Sequence, residues 1–202
     1  MKTPPADLAR RLLDISEQVL HGDPAPRLED IAGMVGASRA TLYYYFAGRD
    51  DLLTYLLTAH AQDGAQAVQA SMDPTDPPER RLRAMVTALA SYLSQHPGIC
   101  AGLLSALGST GRMTDVMAAN DRWIAGPLRE LLAEAKADTD GAVTVADIAN
   151  AADTANAILG ALLLAVLGRS VAGADPTDAR FRDQLTDQLL HGVLTRAPAD
   201  GS

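Results

Sequence analysis

An all-α fold is predicted by three features of the amino-acid sequence. Hydrophobic residues make up 48% of the 202 residues but aromatic residues only 4%, so the core must be built mainly from Ala, Leu, Val and Ile. Chains of this composition usually pack helices closely on helices. Apolar residues recur at three- and four-residue spacings, and no segment alternates apolar and polar residues with period two.

The first helix is predicted over residues 6–21. Its apolar stripe consists of Leu8, Leu12, Ile15 and Val19. Gly22 ends this helix, and the following DPAP segment, residues 23–26, cannot be helical because of its prolines. Two short helices are predicted next, over residues 28–35 and 38–45.

Six further helices are predicted in the rest of the chain. The MDPTDPP segment, residues 72–78, is the clearest linker, and Pro97-Gly98 ends another helix. Gly126-Pro127 is expected to kink the helix that contains it. The predicted ranges are residues 51–71, 78–95, 99–107, 112–137, 144–171 and 177–195.

Charge and cysteine content restrict the class of protein. The net charge is −8, so a DNA-binding surface must be a local patch whose neighbouring acids point away. The single cysteine, Cys100, favours a reducing cytosol. The N-terminal MKTPPADLARRLLD has no signal-peptide pattern, and the longest apolar run, residues 157–167, is too short to cross a bilayer. A cytoplasmic protein without membrane segments is expected.

Residues 28–46 have the spacing of a helix-turn-helix motif. Ala32 lies four residues before Gly36, and Leu42 lies six residues after it. The motif needs a small residue where its helices cross, a glycine in the sharp turn and an apolar anchor on the second helix. The second helix, over residues 38–45, is therefore the candidate recognition helix.

These residues resemble the TetR family of bacterial transcriptional regulators. The family's pattern matches Asp30-Ile31-Ala32, Gly36-Ala37-Ser38, the segment 42–46 (LYYYF), Arg49, Asp50 and Leu52-Leu53, within residues 8–57. The resemblance implies an all-α protein with an N-terminal three-helix helix-turn-helix DNA-binding domain, residues 5–57. A larger helical ligand-binding and dimerisation domain, residues 58–202, would follow.

The sequence departs from the family's pattern in three places. Asp23 stands where an aromatic residue usually follows the first helix, and Pro26-Arg27 replaces the usual Ser or Thr cap. Glu29 stands where some members place a basic residue on DNA. The helix over residues 28–35 is therefore expected to contribute less to base reading than the recognition helix.

The recognition helix carries most of the predicted DNA contacts. Arg39 suits bidentate recognition of guanine, although a solvated residue in the first helical turn is the alternative. Ala40 and Thr41 are candidates for contacts with thymine or phosphate. Arg49 is expected to pair with phosphate at the start of the next helix. The full predicted set is Arg27, Ser38, Arg39, Ala40, Thr41, Tyr43, Tyr44, Tyr45 and Arg49.

Three consecutive tyrosines stand on this helix. At about 100° per residue, Tyr43, Tyr44 and Tyr45 fan over roughly 200°, so one buried face cannot accept them all. Leu42 and Phe46 are four residues apart and can share the buried side. Tyr44 is then expected to point towards DNA, with Tyr43 and Tyr45 reaching phosphates on either side.

The last two predicted helices have the character of a dimer interface. Residues 157–167 are apolar almost all round, and Gly160, Ala161 and Gly168 permit close approach of helices. The resemblance favours a homodimer, and a fully buried core helix is the alternative. The predicted interface residues are Leu159, Leu162, Leu163, Val166, Phe181, Leu185 and Leu189.

The middle of the chain is expected to hold a small molecule. Its apolar or amphipathic candidates are Met85, Leu89, Tyr92, Leu103, Met113, Met117 and Trp123. Such residues are also common in ordinary cores. Because few charges lie among them, a largely apolar effector is favoured.

Enzymatic and metal-binding classes find no support in the sequence. His96 and Cys100 are four residues apart, but Pro97-Gly98 disrupts the helix that would align them. The sequence contains no nucleophile elbow, P-loop or dinucleotide-binding glycine pattern. No cofactor or metal is expected.

The function predicted is that of a homodimeric repressor, released from a palindromic operator by a small, largely apolar effector. The alternative is a helical small-molecule-binding or scaffold protein whose DNA-binding head is vestigial. Repression rather than activation is the preferred mode.

Overall fold

In the computed structural model, which describes residues 2–22, 24–107, 110–140 and 145–194, every regular element is helical. The all-α prediction is therefore confirmed. Asp23 lies outside the described residues. The helices are α1 Ala6–Asp14, α2 Ser16–His21, α3 Leu28–Met34, α4 Arg39–Tyr45, α5 Arg49–Ser71, α6 Pro78–Gln95, α7 Pro97–Leu107, α8 Thr110–Asn120, α9 Gly126–Asp140, α10 Val145–Val171 and α11 Ala179–Leu194, with a π-helical segment, Asp121–Ala125, between α8 and α9.

The first predicted helix is two helices in the structure. Ile15 separates α1 from α2, with φ −104° and ψ 6°. The Oγ atom of Ser16, directly after the break, is buried 2.8 Å from Nε2 of His60. The prediction of one continuous helix over residues 6–21 was therefore wrong: the backbone departs from helical geometry at Ile15, next to this tertiary contact.

The chain forms two compact units, of which the first comprises residues 1–63 and 96–121. Its apolar core is formed by residues of the five helices α1 through α5. It includes Leu12, Ile31, Leu42 and Phe46, each with no exposed surface. The predicted division at residue 57 concerned the DNA-binding and ligand-binding domains, and it stays a prediction.

The turn between α3 and α4 explains the glycine in the motif. Gly36 has a φ of +62°, in the left-handed region that favours glycine. The N–H of Ala37 then donates to the carbonyl of Ala32 at 2.9 Å, which satisfies the end of α3. This local geometry directs α4 away from α3.

The second unit comprises residues 64–95 and 122–202. Its core is formed mainly by α6, α9 and α10 and includes Leu82, Leu128, Ile158 and Leu162. Helix α10 is buried along one side only, as shown by Leu164, which lies on the same helix and is 59% exposed.

A π-helical turn stands where the sequence predicts a kink. The segment Asp121–Ala125 lies directly before Gly126 and Pro127. Proline lacks an N–H and clashes with the carbonyl four residues earlier, here that of Trp123. A wider π turn accommodates this clash, so the helix predicted over residues 112–137 is divided.

Helix α10 also contains the one candidate membrane span among the described residues. Its segment Asn150–Val171 is long and apolar enough by length and composition alone. The core helices of soluble proteins pass the same test.

Candidate nucleic-acid interface

The recognition helix α4 is anchored on one side and capped at its start. Leu42 and Phe46 have no exposed surface, as the four-residue spacing predicts. Oγ of Ser38 accepts a hydrogen bond from the N–H of Thr41 at 3.0 Å, the pattern of an N-cap. The opposite side of α4 therefore faces away from the core, with Arg39 and Ala40 exposed in its first turn.

The three tyrosines have three different environments. Tyr44 is 60% exposed, and Nζ of Lys2 lies 3.7 Å from the centre of its ring. Tyr43 is 48% exposed. Tyr45 is half-buried against the core of the first unit, and its ring meets that of Tyr44 edge-on at 5.0 Å. Tyr44 is thus the most exposed of the three, on the side opposite Leu42 and Phe46.

Tyr43 is joined to α3 by a hydrogen bond. Its hydroxyl donates to Oε1 of Glu29 at 2.7 Å. This bond lowers the pKa of Glu29, with help from the nearby charges of Arg39 and Arg27. The same bond raises the pKa of Tyr43. Glu29 is therefore an ionised carboxylate on the side of the motif where α4 is exposed.

Arg27 has a local role at the start of α3. Its Nε lies 3.4 Å from Oδ2 of Asp30, and its side chain is 81% exposed. The backbone N–H of Arg27 also donates to Oδ2 of Asp30 at 3.0 Å, which helps to cap α3. Exposed pairs of this kind contribute little to stability. Its guanidinium therefore remains accessible.

Arg49 forms two hydrogen bonds to backbone carbonyl groups of the first unit. Its Nε donates to the carbonyl of Pro26 at 3.0 Å, and its Nη2 donates to the carbonyl of Val19 at 3.0 Å. These bonds fasten the start of α5 to α2 and to the following turn. Arg49 therefore has a structural role, and its predicted contact with phosphate stays a prediction.

Two of the predicted polar contacts are already used within α4. Oγ of Ser38 and Oγ1 of Thr41 lie 2.8 Å apart and share a hydrogen bond. Each hydroxyl keeps at least one donor or acceptor position for a further hydrogen bond. Their first role is nevertheless to close the N-terminus of the helix.

The predicted ligand-binding residues divide between the two compact units. Met85 and Leu89 belong to the core of the second unit, and Trp123 packs against that core. Tyr92 belongs to the same unit, where its ring lies close to Gly64. Leu103, Met113 and Met117 belong to the first unit. For Met85 and Leu89, ordinary core packing accounts for the side chains.

The predicted dimer-interface residues also separate by burial. Leu162 and Val166 have no exposed surface within the chain itself, so their side chains cannot contact a partner. They are corrected to core residues, because they face the rest of the second unit. The half-buried residues of the predicted set are Leu159, Leu163, Phe181, Leu185 and Leu189.

A partly buried polar cluster in the first unit was missed by sequence reasoning. Oε2 of Glu17 in α2 accepts from the N–H of Gly98 in α7 at 2.7 Å, and burial raises the pKa of Glu17. The rings of His60 and His96 lie 5.4 Å apart. No sequence signal indicates this cluster, since its members come from three distant segments.

The metal and nucleophile candidates do not assemble into a site. Cys100 is fully buried, and burial raises the pKa of its thiol to about 12. A thiol in this state is a poor nucleophile and a poor metal ligand. Among the residues that the structure describes, no three His, Cys, Asp or Glu side chains are grouped to hold a metal ion.

Comparison with known proteins supports the fold. No protein-family model matches the chain. A 69-residue segment is 38% identical to the HTH-type transcriptional repressor LfrR of Mycolicibacterium smegmatis; it spans 34% of this chain and 36% of that repressor. The match therefore covers about a third of either protein.

Solved structures match over nearly the whole length. The fatty acid degradation regulator FadR of Bacillus halodurans has a TM-score of 0.74 at 20% identity, covering 97% of this chain and 100% of its own. A TetR-like regulator of Rhodococcus sp. RHA1 has a TM-score of 0.68 at 20% identity, covering 96% and 100%. FadR of Bacillus subtilis, solved in complex with stearoyl-CoA, has a TM-score of 0.70 at 14% identity, covering 91% and 98%.

These comparisons agree with the helix-turn-helix geometry of α3 and α4. They confirm the resemblance to the TetR family, and this chain has the fold of TetR-type transcriptional regulators.

Proposed function

We propose that this protein is a cytoplasmic, ligand-responsive transcriptional regulator that represses from a palindromic operator. The observation that carries the proposal is the two-sided recognition helix. Leu42 and Phe46 are fully buried on one side of α4, while Arg39, Tyr43 and Tyr44 are exposed away from the core. An exposed helix face on a helix-turn-helix motif is the part that enters the major groove.

The exposed residues of this face differ in the groups of DNA that they can bind. Arg39 is exposed and suits the O6 and N7 acceptors of guanine. Tyr44 and Tyr45 carry neutral hydroxyl donors, which bind phosphate without changing the charge of an acidic protein. Arg27, 81% exposed, supplies a cation beside the same motif.

A homodimer is proposed through the exposed side of α10 together with α11. Leu164 and Val171, 59% and 75% exposed, are seven residues apart and so lie on one side of the helix. Ala157, Gly160 and Gly168 are small residues that permit close approach of a partner helix. Large apolar side chains exposed in a row are typical of interaction surfaces.

A largely apolar effector is proposed for the helical region after residue 57. FadR of Bacillus subtilis binds stearoyl-CoA, a ligand with a long apolar chain. A ligand that binds one arrangement of the dimer better shifts the population towards it. The effector would thus favour a dimer whose recognition helices no longer match the spacing of the half-sites.

We assign the protein no catalytic activity. The relatives named above are regulators, and the 202 residues contain no P-loop or nucleophile-elbow motif.

The test is an electrophoretic mobility shift assay with the DNA upstream of the protein's own gene, at two salt concentrations. We expect a specific complex that persists at the higher salt when unrelated DNA is released. A protein that binds acyl-CoA but no DNA at either salt concentration would instead be a small-molecule-binding protein with a vestigial head, and the proposal would be wrong.

A further inference from the structure

A carboxylate occupies the proposed DNA-contacting face, where acids are expected to be unfavourable. Glu29 is the second residue of α3, and its Oε1 accepts from the hydroxyl of Tyr43 on α4 at 2.7 Å. The bond spans fourteen residues of sequence and joins the two helices of the motif. Glu29 is therefore held against the recognition helix.

The protonation state of Glu29 limits what it can bind. The hydrogen bond from Tyr43 holds the pKa of Glu29 below its usual value, so the side chain is ionised at neutral pH. An ionised carboxylate accepts hydrogen bonds and donates none, and phosphates repel it. The donors in the major groove are the exocyclic amines of cytosine and adenine.

Cytosine is the better partner of the two. Its N4 amine is the one polar group that it shows in the major groove, whereas the N6 amine of adenine stands beside the N7 acceptor. A carboxylate would face repulsion from N7 but not from the carbon edge of cytosine. Oε1 is engaged by Tyr43, and a carboxylate has a second oxygen to accept from the base.

The cation beside Glu29 is Arg39, which recognises guanine rather than cytosine. Arg39 is close enough for its charge to lower the pKa values of Glu29 and Asp30. The contacts of the described residues include no hydrogen bond or ion pair from the Arg39 side chain, and the residue is exposed. A guanidinium recognises guanine, so this face carries an acceptor for cytosine next to a donor for guanine.

We propose that Glu29 is a base-reading residue that accepts from the N4 amine of a cytosine in each half-site, close to the guanine contacted by Arg39. Tyr43 is its positioning residue, and its hydroxyl serves Glu29 rather than a phosphate. This inference rests on the proposed function, since it names what the recognition surface selects.

The test is selection of binding sites from a DNA library randomised over the half-site, followed by titrations on the selected sequences. The parent protein is compared with Glu29→Gln, Tyr43→Phe and Asp14→Asn. The last variant removes one exposed carboxylate from α1, in the same compact unit, and is the matched control for charge. Circular dichroism melts check that each variant is folded.

We expect the parent to require cytosine at one position of each half-site, with about a tenfold or greater loss of affinity when it is replaced. Glu29→Gln should shift that position towards adenine, which glutamine recognises through N6 and N7. Tyr43→Phe should weaken the cytosine preference while leaving other positions unchanged. Asp14→Asn should leave the selected sequence unchanged.

Two results would overturn the inference. If Glu29→Gln strengthens binding to all sequences equally, as Asp14→Asn would by removing a negative charge, Glu29 reads no base. A folded parent that selects no sequence would instead refute the proposed DNA-binding function itself, and the base-reading role with it.

Discussion

Glu17 and Gly98 are 81 residues apart in sequence and joined by a hydrogen bond of 2.7 Å. The carboxylate of Glu17, on α2, accepts from the N–H of Gly98 in the first turn of α7. The first N–H groups of a helix have no partner within it, and a carboxylate there is favourable. Helix α7 is thus fastened to α2.

Removing this cap should destabilise the first unit. We expect Glu17→Ala to lower the free energy of unfolding by about 1–2 kcal/mol, as for the loss of other N-terminal caps. The control is Gln18→Ala, an exposed position on the same helix. Thermal melts at neutral pH measure both, and equal melting temperatures for the two variants would show that the cap contributes nothing.

The stability of the protein should fall as the pH is lowered below 6.5. Burial lowers the pKa of His60 from 6.5 to about 4, so the folded state keeps this ring neutral. Between these values the unfolded state binds the proton and the folded state does not, so acidification favours unfolding. The full effect is on the order of 3 kcal/mol.

Denaturant titrations between pH 7 and pH 5 measure how the free energy of unfolding depends on pH. Most carboxylates titrate below this range and therefore contribute little to the change. The His60→Gln variant cannot take up the proton and can still bond to Ser16. Its stability should therefore change less over this interval. An unchanged slope would mean that another group is responsible.

Replacing Arg39 by Ala should relax sequence preference. We expect a loss of roughly 1–3 kcal/mol in binding to the operator, with the preference for guanine at one position of each half-site removed. Fluorescence anisotropy titrations on operator variants measure both quantities. If affinity falls equally on operator and scrambled DNA, Arg39 contacts phosphate instead.

Replacing Tyr44 by Phe should weaken binding to every sequence alike. The hydroxyl donates to phosphate in the proposed complex, and its loss should cost on the order of 1 kcal/mol with little change in salt dependence. Titrations on operator and scrambled DNA at several salt concentrations test this. A variant that binds as tightly as the parent would indicate that this exposed ring has no role at the backbone.

The two leucines of α10 should respond in opposite ways to the same change. Leu164 is 59% exposed, whereas Leu162 has no exposed surface. Leu164→Glu should give folded monomers, because it places a charge in the proposed dimer interface. Leu162→Glu should unfold the second unit, because it buries an unpaired charge at a cost of several kcal/mol.

Sedimentation equilibrium and circular dichroism distinguish these outcomes. Dimers of Leu164→Glu with parental stability would exclude this side of α10 as the interface. A parent that is already monomeric at micromolar concentration would refute the dimer as a whole.

Local chemistry in the sequence determined the helix-turn-helix motif. The motif depends on three residues within a stretch of about ten: Ala32 at the helix crossing, Gly36 in the turn and Leu42 as the buried anchor. Their spacing is sufficient to predict the motif. The burial of Leu42 and Phe46 also follows from helical geometry, as does the exposure of Tyr44. These interactions join residues that are close in sequence, so the pattern of the sequence is enough to indicate them.

Tertiary structure decided which side chains remain available to a partner. Arg49 bonds to the carbonyl groups of Val19 and Pro26, which are 30 and 23 residues away in sequence. In the apolar run of α10, composition alone could not distinguish the buried Leu162 from the exposed Leu164. Burial and long-range hydrogen bonds depend on which segments meet in space, and periodicity within one helix carries no information about its neighbours.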